Sequence, residues 1–500
     1  MFTTITADGA TEASRSLHPL YHAAWRWHFY AGLFVIPFLL MLSVTGFGMM
    51  VLTTVAPEYG EGLSVAPATE LLSPEAQVAS AVASVSGGTG YKDYVSARLP
   101  GHAVLVTVTG PTPPVVVALD PGTDRSLRQT PEGGTWSAFL QKIHRTLLVG
   151  TLGDRLIEMA AGLGFLLLAT GLYIWWPRRG WSLREALVPR LDLRGRAFWK
   201  SLHATIGFWL SALLLAFLLT GMSWTGIWGE RWVQAWSTLP AEKFDAPLSE
   251  ATHARLNVPG EKRVPWRLEQ TPLPLSASDG GVPLPGTAKP HHGGPAAGAM
   301  RGMEDMPGMD HDRMDELAPP DLATLLTLAE TLGMTAKGRV HINPPQEATG
   351  VWTLSQDSMS YDSADPTADR TLHIDRYTGK LLGDVRFEDY SWPAKAMAAG
   401  IALHEGQVGL WNLALNAAVC GLTVLLCISG AAVWWKRRPA GVGRLAAPPR
   451  PAELPVWKGA LALALSLSML FPLVGATLIG VLLFDILVLQ KVRPLRRLLT

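Results

Sequence analysis

The chain has 500 residues, of which 48% are hydrophobic, only 17% are charged and 19 are tryptophan. This composition excludes an ordinary soluble multidomain protein and indicates a polytopic membrane protein. The net charge of +1 is uninformative by itself, and no nucleic-acid partner is expected; the distribution of the charges carries the information.

Four apolar stretches are long enough to cross a bilayer, because a spanning helix needs about 20 apolar residues. They are Phe29 to Leu52, Ile157 to Trp176, Ala204 to Ile227 and Leu410 to Trp435. A fifth region, 457–490, is interrupted at Phe471-Pro472 and is predicted as a short hairpin of two helices, with a single span as the alternative. The predicted fold is a polytopic α-helical membrane bundle of about six spans, bounded at 26–52, 144–176, 202–228, 404–435 and 457–490.

Basic residues set the predicted orientation, because loops rich in Lys and Arg stay in the cytoplasm. Such residues concentrate in the loops 177–201 and 436–456 and in the tail 491–500. Residues 1–25 are mostly polar and lack the form of a cleaved signal peptide, so the first span is expected to be an uncleaved anchor. We therefore expect a bacterial inner-membrane protein with both termini in the cytoplasm and the segments 53–143 and 229–403 in the periplasm.

Each long periplasmic segment carries the pattern of a small α+β domain. Within 53–143, the predicted helix and strands are Ser73 to Ser86, Tyr94 to Arg98, Ala103 to Thr109 and Val115 to Leu119. Within 319–403, they are Asp321 to Leu332, Val351 to Ser355 and Thr371 to Ile374, followed by a turn from Asp375 to Lys380.

The spans repeat one another. The pattern H-x3-G-x12-T-G begins at His28 in the first span and again at His203 in the third. The second and fourth spans also match, because Gly162, Gly171 and the W-W-P-R-R exit recur 259 residues later as Gly421, Gly430 and W-W-K-R-R. We infer two copies of a unit built as helix, external domain, helix.

A histidine precedes each of the four strongest apolar runs. His28 and His203 begin outward-running spans and are expected at the cytoplasmic level, whereas His144 and His404 begin inward-running spans and are expected at the outer level. Each level then holds one imidazole from each repeat, which is the arrangement that a six-coordinate haem between helices requires. Each histidine taken alone is more simply an interfacial polar residue, and His22 is a rival to His28.

Residues 229–318 are predicted to be a linker, because Pro, Gly and Ala dominate from residue 240 onward. The linker contains eight potential soft-metal ligands: His291, His292, Met300, Met303, Met306, Met309, His311 and Met314. Thioether and imidazole groups suit Cu(I), so copper binding and a low-complexity linker both remain open. The histidines at 102, 253, 341 and 373 are expected to be surface or strand residues.

Several motifs together resemble the PepSY-associated transmembrane proteins, a family that includes iron-regulated reductases of ferric siderophores. These motifs are the H-x3-G entries, the W-W-x-R-R exits, the D-x-x-T-G-K turn at Asp375 and the F-P-L-x-G break at Phe471. The resemblance implies two b-type haems and electron transfer from the cytoplasmic side to an external metal complex. It covers nearly the whole chain except about residues 240 to 318.

The function expected from this resemblance is a ferric-chelate or cupric reductase. Delivering one electron to Fe(III) weakens its bonds to oxygen ligands, so no catalytic acid, base or nucleophile is predicted. The chain shows no strand-G-x-G-x-x-G-helix unit, so the electrons would come from a cytoplasmic flavin reductase or a membrane quinol. The rival functions are a non-enzymatic PepSY-domain regulator or interaction protein, and a copper-handling membrane protein without redox activity.

Cys420 and Cys427 lie on one helix, which excludes a disulfide between them.

Overall fold

The computed structural model describes residues 19–176 except 67 and 69, then 187–233, 244–257, 264–276, 319–438 and 468–484, with isolated positions at 184, 445, 462, 465, 466, 487 and 491. The chain divides into two compact units. The helical unit comprises residues 1–44, 149–228 and 418–500, and the sheet unit comprises 45–148 and 229–417.

The α-helices of the described residues are α1 (Pro19–Thr54), α2 (Pro74–Ser84), α3 (Trp136–Thr146), α4 (Thr151–Trp175), α5 (Gly195–Met222), α6 (Leu322–Thr331), α7 (Met334–Lys337), α8 (Trp392–Glu405), α9 (Leu410–Trp435) and α10 (Pro472–Phe484). The strands are β1 (Gly90–Val95), β2 (Val104–Thr109), β3 (Val115–Leu119), β4 (Ser126–Pro131), β5 (Leu248–Thr252), β6 (Pro272–Pro274), β7 (His341–Asn343), β8 (Trp352–Gln356), β9 (Arg370–Ile374) and β10 (Leu381–Arg386).

Four of these helices, α1, α4, α5 and α9, are long and apolar enough to cross a membrane. Their most apolar windows have mean hydropathies between 1.7 and 2.2. The prediction of a helical membrane protein is confirmed. In the fifth apolar region, α10 begins at Pro472, where the sequence predicts a break. Most of the remainder of 457–490 lies outside the described residues, so the hairpin stays a prediction.

Two spans begin later than the sequence predicts. The second was expected from residue 144, but α3 ends at Thr146 and α4 begins only at Thr151. The fourth was expected from residue 404, but α8 ends at Glu405 and α9 begins at Leu410. Between the helices, Leu147, Leu148, Gly150, Gly406 and Gly409 have positive φ angles from 51° to 92°. An α-helix cannot continue through that conformation, so a continuous apolar run in the sequence becomes two helices.

The helical unit is packed tightly around the start of α10. The ring of Phe471, just before α10, stacks on Phe165 of α4 with centroids 4.6 Å apart. A Cβ added at Gly162 on α4 would overlap Val474 of α10, so glycine is what allows the two helices to approach. The free thiols of Cys420 and Cys427 agree with the expected absence of a disulfide.

Two carboxylates on α4 satisfy backbone donors where the chain leaves α5. Glu158 is 1% exposed and accepts the backbone N–H groups of Ile227 at 3.1 Å and Trp228 at 3.0 Å. Asp154 accepts the N–H of Gly226 at 3.2 Å. The sequence analysis missed this role, because the acceptor and the donors are about 70 residues apart along the chain. These carboxyl groups give hydrogen-bond partners to backbone N–H groups that follow α5.

The sheet unit contains one antiparallel eight-stranded sheet in the order β10-β9-β8-β7-β1-β2-β3-β4. The first external segment supplies β1 to β4, and the second supplies β7 to β10. The two sets join where β1 pairs with β7, through Tyr94 opposite Ile342 and Val95 opposite His341. The expectation of two separate α+β domains is therefore corrected to one continuous sheet. Local sequence pattern predicts single strands, whereas it does not show which edges pair.

One hydrophobic core serves both halves of this sheet. Val78 and Ala81 of α2 belong to the same cluster of buried side chains as Leu325 of α6 and the strand residues Val106 and Leu354. Each helix begins with a capping side chain: Ser73 accepts the N–H of Ala76 at 3.2 Å, and Asp321 accepts that of Thr324 at 2.8 Å. The two helices also meet through Glu75, which accepts the N–H of Ala323 at 2.8 Å.

Part of the predicted linker is folded. Residues 244–257 and 264–276 form the two-stranded β5–β6 sheet and pack against the large sheet. Phe244, Val264 and Leu268 are buried with Val385 and Tyr390 in a second cluster. The linker prediction is wrong for these residues, because Pro and Gly content averaged over 240–318 hides the apolar side chains near its beginning.

Candidate cofactor site

Two of the predicted histidines meet within the helical unit. His28 of α1 and His203 of α5 have ring centroids 6.2 Å apart, and their planes cross at 80°. Both side chains are half-buried. The structure therefore brings together the pair that the sequence assigns to the cytoplasmic level. The rival His22 has a buried Nδ1 without a hydrogen-bond partner among the described residues.

Hydrogen bonding fixes the tautomer of His203. Its Nδ1 lies 3.1 Å from the carbonyl oxygen of Leu426 and 3.2 Å from the hydroxyl of Ser429, both on α9. A carbonyl oxygen can only accept, so Nδ1 carries the hydrogen and donates it. The lone pair then lies on Nε2, which is the arrangement that metal-binding histidines typically show.

The same reasoning applies to His28. Its Nδ1 lies 3.1 Å from the hydroxyl oxygen of Thr170 on α4. That hydroxyl donates its own hydrogen to the carbonyl oxygen of Leu166 at 2.6 Å. It must therefore accept from Nδ1, so the Nε2 of His28 also carries a lone pair.

The donor atoms of this pair suit a metal ion such as iron. The ring separation of 6.2 Å and the angle of 80° are also those of an edge-to-face ring contact. Two neutral imidazoles with free Nε2 atoms are also the axial donor set of a six-coordinate haem iron.

Glycines of the neighbouring helices lie directly against both rings. A Cβ added at Gly171 would be 3.1 Å from Cε1 of His28, and one at Gly430 would be 3.0 Å from Cε1 of His203. By contrast, a Cβ at Gly32 or Gly207, the glycines of the H-x3-G motif, would make ordinary contacts of 3.7 and 3.5 Å. The repeated glycines at 171 and 430 therefore have a steric role that spacing along the sequence did not reveal.

The other two histidines lie in the sheet unit, on the short helices that precede the spans. The Nδ1 of His144, near the end of α3, is 2.8 Å from the hydroxyl of Thr45. Burial, together with the nearby His404 and Arg145, lowers the pKa of His144 to about 3. Burial also lowers the pKa of His404 to about 4. Both rings are therefore neutral near pH 7, the form in which imidazole binds metals.

Two asparagines hold the backbone at His404. Asn416 donates from Nδ2 to the carbonyl oxygens of Leu403 at 2.7 Å and His404 at 3.0 Å. Asn412 donates to the same Leu403 carbonyl at 3.0 Å. The last turn of α8 is thus anchored on α9, which satisfies carbonyl groups that a helix end leaves without partners.

Three further histidines are buried in the sheet unit. The Nδ1 of His341 lies 2.9 Å from Asp93, and its Nε2 lies 3.1 Å from Asp362. The Nε2 atoms of His253 and His373 lie 2.9 Å apart. His341 and His373 are strand residues, as expected, but neither they nor His253 is at the surface. Their partners are distant in sequence, so no local signal predicts these pairs.

The predicted copper ligands cannot be placed. All eight Met and His residues between 291 and 314 lie outside the described residues. Among the residues that the structure does describe, no group of three or more His, Cys, Asp or Glu side chains is arranged to hold a metal ion.

The long apolar helices together with the α+β sheet unit define the class: a helical membrane protein that carries a large folded domain. The chain belongs to the PepSY-associated TM region family, whose family model matches residues 25–437. The family predicted from the sequence motifs is thereby confirmed. No curated protein matches the chain.

Proposed function

We propose that this chain is a dihaem b-type metalloreductase of the bacterial inner membrane. It passes electrons from the cytoplasmic side to a periplasmic ferric siderophore or Cu(II) complex. The observation that supports the proposal best is the His28–His203 pair, in which both Nδ1 atoms are bound by neighbouring helices and the rings stand 6.2 Å apart. A histidine that only faces the membrane interface does not require its Nδ1 to be bound by a neighbouring helix.

The duplicated architecture is part of the proposal. His28 and His144 belong to the first repeat, and His203 and His404 belong to the second. Each haem would then take one ligand from each repeat. The mirrored strand order, β4 to β1 followed by β7 to β10, is what two copies of one unit joined edge to edge would produce.

The four histidines have a holding and orienting role. Haem bound between them supplies one-electron transfer, and its potential depends on the axial ligands and on burial. The chain binds Nδ1 of His28 and His203 and so directs their Nε2 atoms. Because reduction alone weakens the bonds from iron to oxygen ligands, the site needs no acid or base.

The electron donor would be a cytoplasmic flavin reductase or a membrane quinol. The sequence carries no nicotinamide-binding motif, and the excess of Lys and Arg in the sequence of the loop 177–201 would attract an acidic reductase.

Reconstituted vesicles test the proposal. The purified full chain is placed in liposomes, with a ferric siderophore on the side of the membrane that holds the segments 53–143 and 229–403. Reduced flavin or quinol is supplied from the opposite side. We expect a reduced-minus-oxidised b-type spectrum, and Fe(II) trapped by a colorimetric chelator on the siderophore side. A protein without a Soret band and without Fe(II) production would instead support the non-enzymatic interaction function.

The Met/His segment suggests copper as an alternative acceptor. Thioether and imidazole groups close together in the sequence favour Cu(I), the product of Cu(II) reduction. Deleting residues 290–315 should lower copper binding, measured by metal analysis after dialysis, while haem content stays the same. Unchanged copper binding would assign the methionines to a linker.

A further inference from the structure

We propose that three Ser/Thr-Gly pairs are positioning residues for the haem ligands. The pairs are Thr170-Gly171 for His28, Ser429-Gly430 for His203 and Thr45-Gly46 for His144. In each pair the hydroxyl contacts Nδ1, beside the Leu426 carbonyl in the case of His203, and the glycine makes room for the ring edge. The inference rests on the proposed function, because it takes these histidines as iron ligands.

The hydroxyl contacts have a common direction. The hydroxyls of Thr170 and Ser429 each donate to a carbonyl oxygen of their own helix, Leu166 at 2.6 Å and Leu426 at 2.8 Å. Their oxygens are therefore left to accept from the Nδ1–H of the facing histidine. Thr45 lies 2.8 Å from Nδ1 of His144, and we assign the same direction to that contact.

The glycines act on the same edge of each ring. A Cβ added at Gly430, Gly171 or Gly46 would lie 3.0, 3.1 and 3.5 Å from Cε1 of the respective histidine. Nδ1 and Cε1 are bonded neighbours, so the hydroxyl and the glycine hold one edge of the imidazole between them. The direction of Nε2, which is bonded to Cε1, then depends on both residues of the pair.

This geometry explains why a hydroxyl residue and a glycine are adjacent. Together they contact two bonded atoms of one ring edge, Nδ1 and Cε1. Partners of this kind fix the tautomer and raise the basicity of a ligating histidine, and their loss typically costs about 10- to 100-fold in metal affinity. A more basic imidazole favours the ferric state, so the pairs should also lower the reduction potential of the bound iron.

Substitution of the hydroxyls tests the first half of the inference. In the purified full chain, Thr170→Val should raise the midpoint potential of one haem and change its low-spin electron paramagnetic resonance spectrum. A tenfold change in relative affinity for the two iron oxidation states corresponds to about 59 mV. Thr477→Val is the matched control, because the hydroxyl of Thr477 likewise donates to its own helix, to Leu473 at 2.7 Å, and should leave the potential unchanged.

A conservative variant separates hydrogen bonding from loss of structure. Thr170→Ser keeps the hydroxyl and should restore the wild-type potential even if Thr170→Val binds less haem. The inference is overturned if Thr170→Ser behaves like Thr170→Val, or if Thr170→Val retains haem with an unchanged potential and spectrum.

The glycines give a graded second test. Gly430→Ala and Gly171→Ala should each disturb one haem more strongly than Gly46→Ala, because the added methyl groups would lie closer to their rings. Gly421→Ala on the same helix as Gly430 is the control, since a Cβ there would meet nothing within 4 Å. Equal effects at Gly430 and Gly421 would contradict the steric role. Wild-type protein without haem would defeat the proposed function itself, and these inferences with it.

Discussion

His341 on β7 lies 2.9 Å through its Nδ1 from the carboxylate of Asp93 on β1, across the junction that joins the two halves of the large sheet. Its other ring nitrogen lies 3.1 Å from Asp362. One imidazole thus binds a carboxylate from each external segment. The strands pair at two positions of the junction, and this buried triad adds charge-assisted hydrogen bonds across it.

The triad predicts a loss of stability in alkali. Burial by itself lowers the pKa of His341, but Asp93 and Asp362 outweigh it and raise the pKa to about 10. The pKa of histidine in the unfolded chain is about 6.5, so the folded protein keeps this proton at pH values where the unfolded chain has lost it. The stabilisation that His341 contributes is therefore fully present below about pH 6.5. That contribution declines as the pH rises and is lost above about pH 10. Thermal unfolding between pH 6 and pH 10 should show a smaller decline in Asp93→Asn, whereas an equal decline would contradict the assignment.

The buried pair of His253 and His373 predicts the opposite dependence. Burial lowers the pKa of His253 to about 4, and burial and the nearby His253 lower the pKa of His373. As the pH falls, the unfolded chain binds protons at these histidines at a higher pH than the folded protein does. The stabilisation from this pair is therefore present above about pH 6.5 and is lost as the pH falls toward 4. His373→Gln should flatten the stability of the sheet unit in this range, measured by tryptophan fluorescence during thermal unfolding. A slope that matches the wild type would exclude the pair as its cause.

The shared core predicts that both halves of the sheet unit unfold together. Leu325 is 1% exposed among side chains from both external segments, so Leu325→Ala should cost about 2–5 kcal/mol. Hydrogen exchange should show protection falling by the same factor in β2–β3 and in β8–β9. Leu99, which is 57% exposed, is the control position, and Leu99→Ala should change stability by less than about 0.5 kcal/mol. Loss of protection confined to β8–β9 would indicate two independent domains.

Close packing at Gly162 predicts a rescue. Gly162→Ala would drive a methyl group into Val474 and should cost the helical unit about 1–3 kcal/mol. Val474→Ala removes the obstructing methyl groups, so the double variant should be more stable than Gly162→Ala alone. The comparison is made by the temperature at which detergent-solubilised protein aggregates. Additive losses in the double variant would show that the two residues do not meet.

The sequence predicted the parts of this protein that local periodicity and repetition encode. The pairing of His28 with His203 followed from a motif repeated 175 residues apart, and the spans followed from runs of apolar residues. The strands β2, β3, β8 and β9 were likewise found by their local pattern. Each of these features depends on residues that are neighbours along the chain or on exact internal repetition.

What the sequence did not predict depends on contacts between distant residues. The joining of β1 to β7 pairs residues 94 and 342, and the hydroxyl partners of the histidines lie 142 and 226 residues away. The breaks after Thr146 and Glu405 depend on backbone angles that an apolar run does not signal. Composition averaged over 240–318 also hid the folded residues 244–257 and 264–276.

The account as a whole depends on which histidines share a haem, and haem stoichiometry in paired variants tests this most directly. Pyridine haemochrome analysis of the purified full chain should give two haems in the wild type. His28→Ala/His203→Ala should retain one haem, because both ligands serve the same iron, whereas His28→Ala/His144→Ala should retain none. Retention of a haem in the second variant, or loss of both in the first, would contradict the pairing.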